Sequence, residues 1–402
     1  MSKTRLLVVG NGMAGLKFLE EISTLAPDTF DITVAGEEPE LAYNRVLLSP
    51  LLAGEISADD VRLKSTDWYT ARNIRVVSGD PVAALNTKAK SACLASGETI
   101  AFDVCVLATG SMPVRLPLPG ANLAGVEVFR TTADITRLVA SAARGERAVV
   151  IGGGLLGIEA AYGLTRAGAN VTLVHVMDRL MERQLDGEGA HILRSALESK
   201  GIRVVLSAQT ARIDGKDRVE RLVLRDGSEI LADLVVMAVG VKPRTDLAAA
   251  AGLDCKRGIL VNDALLASAP GVYAIGECAE HRGAVYGLVE PAYEHARVAA
   301  QVIVGQQAAY AGSVLATNLK VSGVPVFSTG DFEGVGAEAI IWRDVATASY
   351  RKLVVRDGRL AGAVLVGDTT DALWYRDLIR SGDPIAAFRA TLAFGRAYAE
   401  AA

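Results

Sequence analysis

Six glycines, in two groups of identical spacing, are the residues of this sequence whose pattern most directly implies chemistry: Gly10-x-Gly12-x-x-Gly15 and Gly152-x-Gly154-x-x-Gly157. In such a turn the first glycine permits a tight bend. The second lets a pyrophosphate approach the backbone, and the third allows a helix to pack closely on a strand. The residues that open each helix, Met13 and Ala14 in one copy and Leu155 in the other, then present free N–H groups and partial positive charge to phosphates. Two turns of this kind imply that two dinucleotides bind.

Such turns work only between a strand and a helix, and the flanking residues supply both. Residues 5–10 (Arg-Leu-Leu-Val-Val-Gly) precede the first turn, and a helical pattern through Leu16, Leu19, Glu20 and Ile22 follows it. Residues 147–152 (Arg-Ala-Val-Val-Ile-Gly) precede the second, with a helical pattern through Ile158, Ala161 and Leu164. A β-rich run follows each helix, Asp31–Ala35 and Ala169–Val174. The duplication extends further. Asp103 and Asp233 each follow a turn glycine (Gly97, Gly227) by six residues. Each precedes another glycine (Gly110, Gly240) by seven, across an apolar strand. The chain therefore contains two related nucleotide-binding domains.

A third apolar strand, Gly271–Gly276, and a helical run from Ala292 to Val304 belong to neither copy of the repeat. Beyond about residue 319 the character changes. Residues 350–366 alternate about Asp357-Gly358, a hairpin signal, and a helix is expected over Thr370–Arg380. These read as a small α+β domain.

Composition narrows the function. The 402 residues include 40 glycines and only four cysteines, at positions 93, 105, 255 and 278. The nearest two cysteines are twelve residues apart, which excludes C-x-x-C redox pairs, thiolate zinc sites and runs of iron–sulfur ligands. Scarce cysteine argues for a reducing compartment, hence a cytoplasmic protein. The formal charge of −4, from 42 basic and 46 acidic residues without a basic block, argues against a nucleic-acid partner. No apolar stretch approaches a membrane span.

The residue that ends the strand after each cradle should meet an adenosine ribose. In the first copy Glu37 is the expected acid, with Glu38 beside it. In the second the strand ends Leu173-Val174-His175 and carries no acid. His175 is then the expected contact, either to NADH or, with Arg179, to the 2′-phosphate of NADPH. The lack of a basic pair directly after it favours NADH.

At this level the sequence resembles the two-dinucleotide-binding-domain flavoproteins, over essentially its whole length. It is most similar to the flavin-containing N-terminal part of assimilatory NAD(P)H-nitrite reductase large subunits, with rubredoxin and ferredoxin reductases as related proteins. The resemblance is carried by Ala42–Ser49 (AYNRVLLS), Leu180–Asp186 (LMERQLD), Tyr273–Cys278 (YAIGEC) and Gly362–Asp368 (GAVLVGD). It implies an α/β fold of two Rossmann-like domains, an FAD-binding domain (1–118 and 242–318) interrupted by an NAD(P)-binding domain (119–241). A C-terminal α+β interface domain (319–402) closes the chain.

The resemblance also implies roles. Arg45 would lie along the FAD, Val82 would meet the adenine, and Ala108-Thr109-Gly110 would line the flavin domain where the chain crosses over, as Gly240 closes the matching strand of the second copy. Gly276-Glu277 would present an acid to the ribityl–phosphate portion. Glu159 would sit where nicotinamide and flavin meet. Cys278 reads as structural, and Phe327 and Trp374 are candidate flavin-edge aromatics that read equally well as core. Thiol-dependent relatives place a redox cysteine within about the first fifty residues, whereas none here precedes Cys93. The implied function is NAD(P)H oxidation through FAD, with electrons passing to a redox protein. That partner would be an iron–sulfur or siroheme subunit of a nitrate or nitrite assimilation system, or a rubredoxin or ferredoxin. An NADH oxidase and a low-turnover flavin redox sensor are the alternatives, and a homodimer is an oligomeric state common among relatives.

Overall fold

The computed structural model describes residues 3–314, 316–319 and 323–400. Residues 1, 2 and 315 of the expected FAD-binding domain, and residues 320–322, 401 and 402 of the expected C-terminal domain, lie outside the described residues. The chain divides into two compact units. One comprises Met1–Leu47, Ser57–Met112 and Val241–Ser313, and the other Leu48–Ile56, Pro113–Gly240 and Val314–Ala402.

In the first unit the strand Thr4–Val9 is apolar without alternation over residues 6–9, because both faces of that stretch are covered. Leu6 and Val8 pack with the helices Met13–Leu25 and Val289–Ile303, through Leu16, Leu19, Ala296 and Ala299. Leu7 and Val9 pack with Leu85, Leu94 and Ile100 of a three-stranded antiparallel sheet. The parallel sheet runs in the order Val272–Ala274, Val104–Leu107, Thr4–Val9, Phe30–Gly36, Ile74–Ser78. Val8 lies in register with Val34 on one side and Val106 on the other.

The second unit repeats this plan. Its parallel sheet runs Val126–Val128, Leu234–Met237, Arg147–Ile151, Asn170–Val174, Arg203–Val205, with Val150 opposite Leu173 and Val236. Val149 and Ile151 face a second three-stranded antiparallel sheet through Leu222, Leu224 and Ile230. One contact is duplicated almost atom for atom. Arg5 donates from Nε and Nη2 to the Asp103 carboxylate at 3.0 and 2.8 Å, and its backbone N–H adds a third bond at 3.0 Å. Arg147 and Asp233 form the same fork at 2.8, 2.6 and 3.0 Å. The guanidinium holds the Asp233 carboxyl down to about 2, and Asp103 also lies below the carboxylate range.

Val272–Ala274, the strand outside the sequence repeat, takes the edge place that Val126–Val128 takes in the second sheet. The two copies fill that place from opposite ends of their sequences. Each copy thus has the complete five-stranded sheet of a doubly wound α/β fold.

The second unit also holds an antiparallel sheet ordered Ala316–Leu319, Val326–Gly330, Arg359–Val366, Ser349–Arg356, Glu338–Asp344. Its hairpin turns on Asp357 and Gly358, both at positive φ (50° and 69°), the geometry that suits the twist of paired strands. The helix expected over 370–380 spans Ala372–Ser381 and ends at left-handed Gly382. Leu48–Ile56 belongs with the second unit, because Leu52 seats its side chain on Gly163 and Ser49 Oγ donates to the Glu159 carbonyl at 3.3 Å. Among the described residues, no helix is long and apolar enough to cross a membrane.

Candidate functional site

The first cradle opens at Gly10, whose φ of +112° suits only glycine. A methyl group there would overlap the Ala108 carbonyl oxygen, and one on Gly15 would overlap the Gly10 carbonyl oxygen. Gly12 differs. Open space surrounds its would-be Cβ, and it stands at the N-terminus of Met13–Leu25 with no side-chain cap and no acid in the first turn. The helix start is therefore left for an external anion. Between the glycines, Asn11 accepts the Tyr69 hydroxyl at 3.1 Å on Oδ1, while its Nδ2 is buried without a partner. The room beside Gly12 and the partnerless Asn11 donor both fit a dinucleotide.

The other residues expected around this dinucleotide meet in the same unit. Ala108 abuts Gly10. Thr109 Oγ1 donates to the Arg244 carbonyl at 3.0 Å, and the Arg244 N–H donates to the Gly110 carbonyl at 2.9 Å. Gly276 has φ +73° and packs so near Ala14 that a methyl would stand 2.8 Å from its Cβ. The adjacent Glu277 accepts the Ser111 hydroxyl at 2.7 Å. Arg45 is paired with Glu38 and donates to the Tyr43 hydroxyl at 2.8 Å, and Tyr43 donates to Glu38 at 2.6 Å. Glu277 adds its attraction to the Arg45 guanidinium. Val82 packs at the margin of the cluster that contains Val9 and Ala35.

Glu37, the expected ribose acid, is exposed and paired with Arg244, whereas Glu38 is the more enclosed of the two. Ser111, Arg244, Asn11 and His295 join this site without being defining residues of any sequence motif. The first three lie within or close to the glycine motifs, so adjacency is their only sequence signal. His295 carried none, since it is isolated on a helix.

The second cradle reproduces the first. Gly152 has φ +121°, its methyl would overlap the Ala238 carbonyl oxygen, and one on Gly157 would overlap the Gly152 carbonyl oxygen. Gly154 faces open space at the uncapped start of Leu155–Arg166. Gly240, at φ +111°, follows the strand Leu234–Met237 and accepts the Val114 N–H at 2.9 Å. Glu159 lies on that helix, 8% exposed, and burial alone pushes its carboxyl up to about 8.

His175 requires a correction. Its Nδ1 accepts the Gly153 N–H at 2.9 Å and its Nε2 lies 3.0 Å from Glu182 Oε2. Both ring nitrogens are spent inside the unit, so neither is left for a ribose or a 2′-phosphate. Arg179, its expected helper, is bound to the Leu185 carbonyl at 3.3 Å and to Glu333 at 3.4 Å. Phe327 is core, and Trp374 packs on the same cluster. Cys278 is buried, its thiol pointing to the Leu107 and Ile275 carbonyls, and burial raises its pKa. Among the described residues, no group of three or more His, Cys, Asp or Glu side chains is placed to hold a metal.

Residues 4–302 match the family model described as pyridine nucleotide-disulphide oxidoreductase, and residues 316–383 match the rubredoxin NAD+ reductase C-terminal domain. Nitrite reductase [NAD(P)H] of Bacillus subtilis (strain 168) is 46% identical over 92% of this chain and 46% of its own length. The assimilatory nitrate reductase electron transfer subunit of the same organism is 42% identical over 92% of this chain and 48% of its own length. The chain thus spans about half the length of these curated relatives. The crystal structure of NADH:rubredoxin oxidoreductase from Clostridium acetobutylicum superposes with a TM-score of 0.80 at 27% identity, covering 98% of this chain and 99% of that one.

Proposed function

We infer the function from the premise that the chain belongs to the pyridine nucleotide-disulphide oxidoreductases, an NAD(P)H-dependent family whose cofactor is FAD. In our reading the Gly10–Gly15 cradle holds FAD, the Gly152–Gly157 cradle holds NAD(P)H, and the electrons leave for a separate redox protein or subunit of a nitrite or nitrate assimilation system. The observation that carries this reading is the pair of helix starts, one in each unit, that no side chain caps and that have room beside Gly12 and Gly154 for a pyrophosphate. When bound, FAD would supply the redox chemistry between NAD(P)H and the acceptor.

The chain's own residues bind and orient. Backbone N–H groups at the two helix starts would hold the pyrophosphates, and the partnerless Asn11 Nδ2 is a donor available in the first cradle. Arg45 and Glu277 frame the flavin side, Glu277 being fixed by Ser111. Glu159 offers a carboxyl that burial brings near neutrality at physiological pH, suited to hydrogen-bond a nicotinamide carboxamide. Cys105 and Cys278 are buried thiols whose pKa burial raises, and neither suits a thiolate relay. Direct delivery to a one-electron protein acceptor in the cytoplasm fits that environment.

Anaerobic addition of NADH or NADPH to the FAD-loaded protein tests the reading. The yellow flavin absorbance should bleach and return on adding an oxidised iron–sulfur protein; a flavin that stays oxidised defeats the proposal. Glu159→Ala should slow bleaching by about tenfold or more while FAD stays bound. Equal rates would strip Glu159 of its role.

A further inference from the structure

We propose that Glu182, held in place by His175, reads the adenosine ribose in the second cradle and turns that site toward NADH and against NADPH. The inference rests on the reading of this cradle as the NAD(P)H site. It concerns a residue seven positions beyond the place where a ribose-binding acid is ordinarily found, at the end of the second strand.

That strand, Asn170–Val174, ends without an acid. The next residue is His175, whose Nδ1 accepts the Gly153 N–H at 2.9 Å. The neutral imidazole therefore carries its proton on Nε2, and this N–H donates to Glu182 Oε2 at 3.0 Å. The chain Gly153–His175–Glu182 runs from the middle of the cradle, past the strand end, to a carboxylate. An acid supplied by a loop thus replaces the missing one.

The loop is not free to carry that acid elsewhere. Gly153 also accepts the Met181 N–H at 3.0 Å, so the residue before Glu182 is tied to the same cradle glycine that holds His175. The Ser207 N–H donates to the Met177 carbonyl at 2.8 Å, and Arg179 Nη2 reaches the Glu182 carbonyl at 3.5 Å. Glu182 is 23% exposed, which leaves carboxylate lone pairs for an incoming ligand.

Charge gives the direction. The 2′- and 3′-hydroxyls of an unmodified ribose are donors that a carboxylate accepts. A 2′-phosphate brings about −1.5 to −2 charges and no comparable donor, so the same carboxylate repels it. Arg179 and Arg183 are the neighbouring cations among the described residues of this loop. Arg179 is engaged by the Leu185 and Glu182 carbonyls and by Glu333 and Asp178. Arg183 is 86% exposed, with Nε 3.8 Å from Glu182 Oε1, and so is partly neutralised by the group under discussion.

Calorimetric binding of ADP-ribose and 2′-phospho-ADP-ribose to the FAD-loaded protein tests this without turnover. The wild type should bind ADP-ribose tighter by about tenfold or more. Glu182→Gln, which keeps the shape and removes the charge, should bring the two affinities within about threefold, and Glu182→Arg should reverse the order. Flavin reduction rates with NADH and NADPH should follow the same ratios. An unchanged ratio in Glu182→Gln overturns the inference while leaving the cradle assignment intact. So does a wild type that prefers the phosphorylated ligand and loses that preference in Arg183→Gln. Failure of both ligands to bind would instead remove the cradle assignment, and this inference with it.

Discussion

The imidazole of His295 accepts the backbone N–H of Gly276 at 3.2 Å, so an entirely buried histidine holds the loop that presents Glu277. Its Nδ1 must stay unprotonated to do so, and burial, aided by His281, holds the ring down to about 4. Tyr310 closes over it with ring centroids 4.4 Å apart, edge to face. In unfolded chain the same ring titrates near 6.5, so the unfolded state binds more protons between those values. Stability from this residue is therefore present above about pH 6.5 and is lost as pH falls toward 4, by roughly 3 kcal/mol in all. His295→Leu should abolish that acid sensitivity and, by orphaning the Gly276 N–H, weaken FAD retention by about tenfold. His295→Asn, which restores an acceptor, should recover much of the affinity. Denaturant melts between pH 4 and 7 and FAD release by fluorescence give both readouts; equal FAD affinity in all three proteins would show that the bond does not position the loop.

Glu159 titrates in the opposite sense. Burial raises its carboxyl from 4.5 to about 8, so the folded protein binds the extra proton over that span. Stability therefore declines as pH rises from about 4.5 to 8, with a total on the order of a few kcal/mol. Glu159→Gln should match the wild type near pH 4 and exceed it near pH 8 when NAD(P)H is absent. Parallel stability curves across that range would mean that the carboxyl is not perturbed in the folded state.

Both cradles and the duplicated sheet frame were legible in the sequence because each depends on local constraint. Glycine spacing, an apolar strand and an aspartate at fixed separation are all read within a few residues, and the matched Arg5–Asp103 and Arg147–Asp233 forks follow from them. Relationships that depend on folding were not legible. His175 looked like a ligand because its partners, Gly153 and Glu182, come from a turn before it and a loop after it. His295 meets Gly276 across nineteen residues. The helix Leu48–Leu52 joins the second unit through Leu52 and Ser49, whose contacts lie more than a hundred residues away. The C-terminal hairpin was legible for the opposite reason, since Asp357-Gly358 fixes its own turn.

Within each cradle the three glycines are constrained differently, and substitution separates structure from binding. A methyl on Gly157 would overlap the Gly152 carbonyl oxygen, which is backbone and has nowhere to move. Gly157→Ala should therefore destabilise the fold by about 1–3 kcal/mol, and Gly15→Ala should do the same through the Gly10 carbonyl. At Gly154 and Gly12 the would-be Cβ meets nothing within 4 Å, and neither residue is at positive φ. Gly154→Ala and Gly12→Ala should melt within about 0.5 kcal/mol of the wild type, as surface substitutions do. On the proposed reading a pyrophosphate approaches the helix start through that open space, so a methyl there would obstruct the ligand and not the protein. Gly154→Ala should raise the KM for NADH by about tenfold or more with FAD still bound, and Gly12→Ala should loosen FAD while ADP-ribose binding is unchanged. Melting curves set beside ligand affinities check each pairing. A Gly154→Ala protein that is fully stable and binds NADH as tightly as the wild type would mean that the second cradle is a packing turn only.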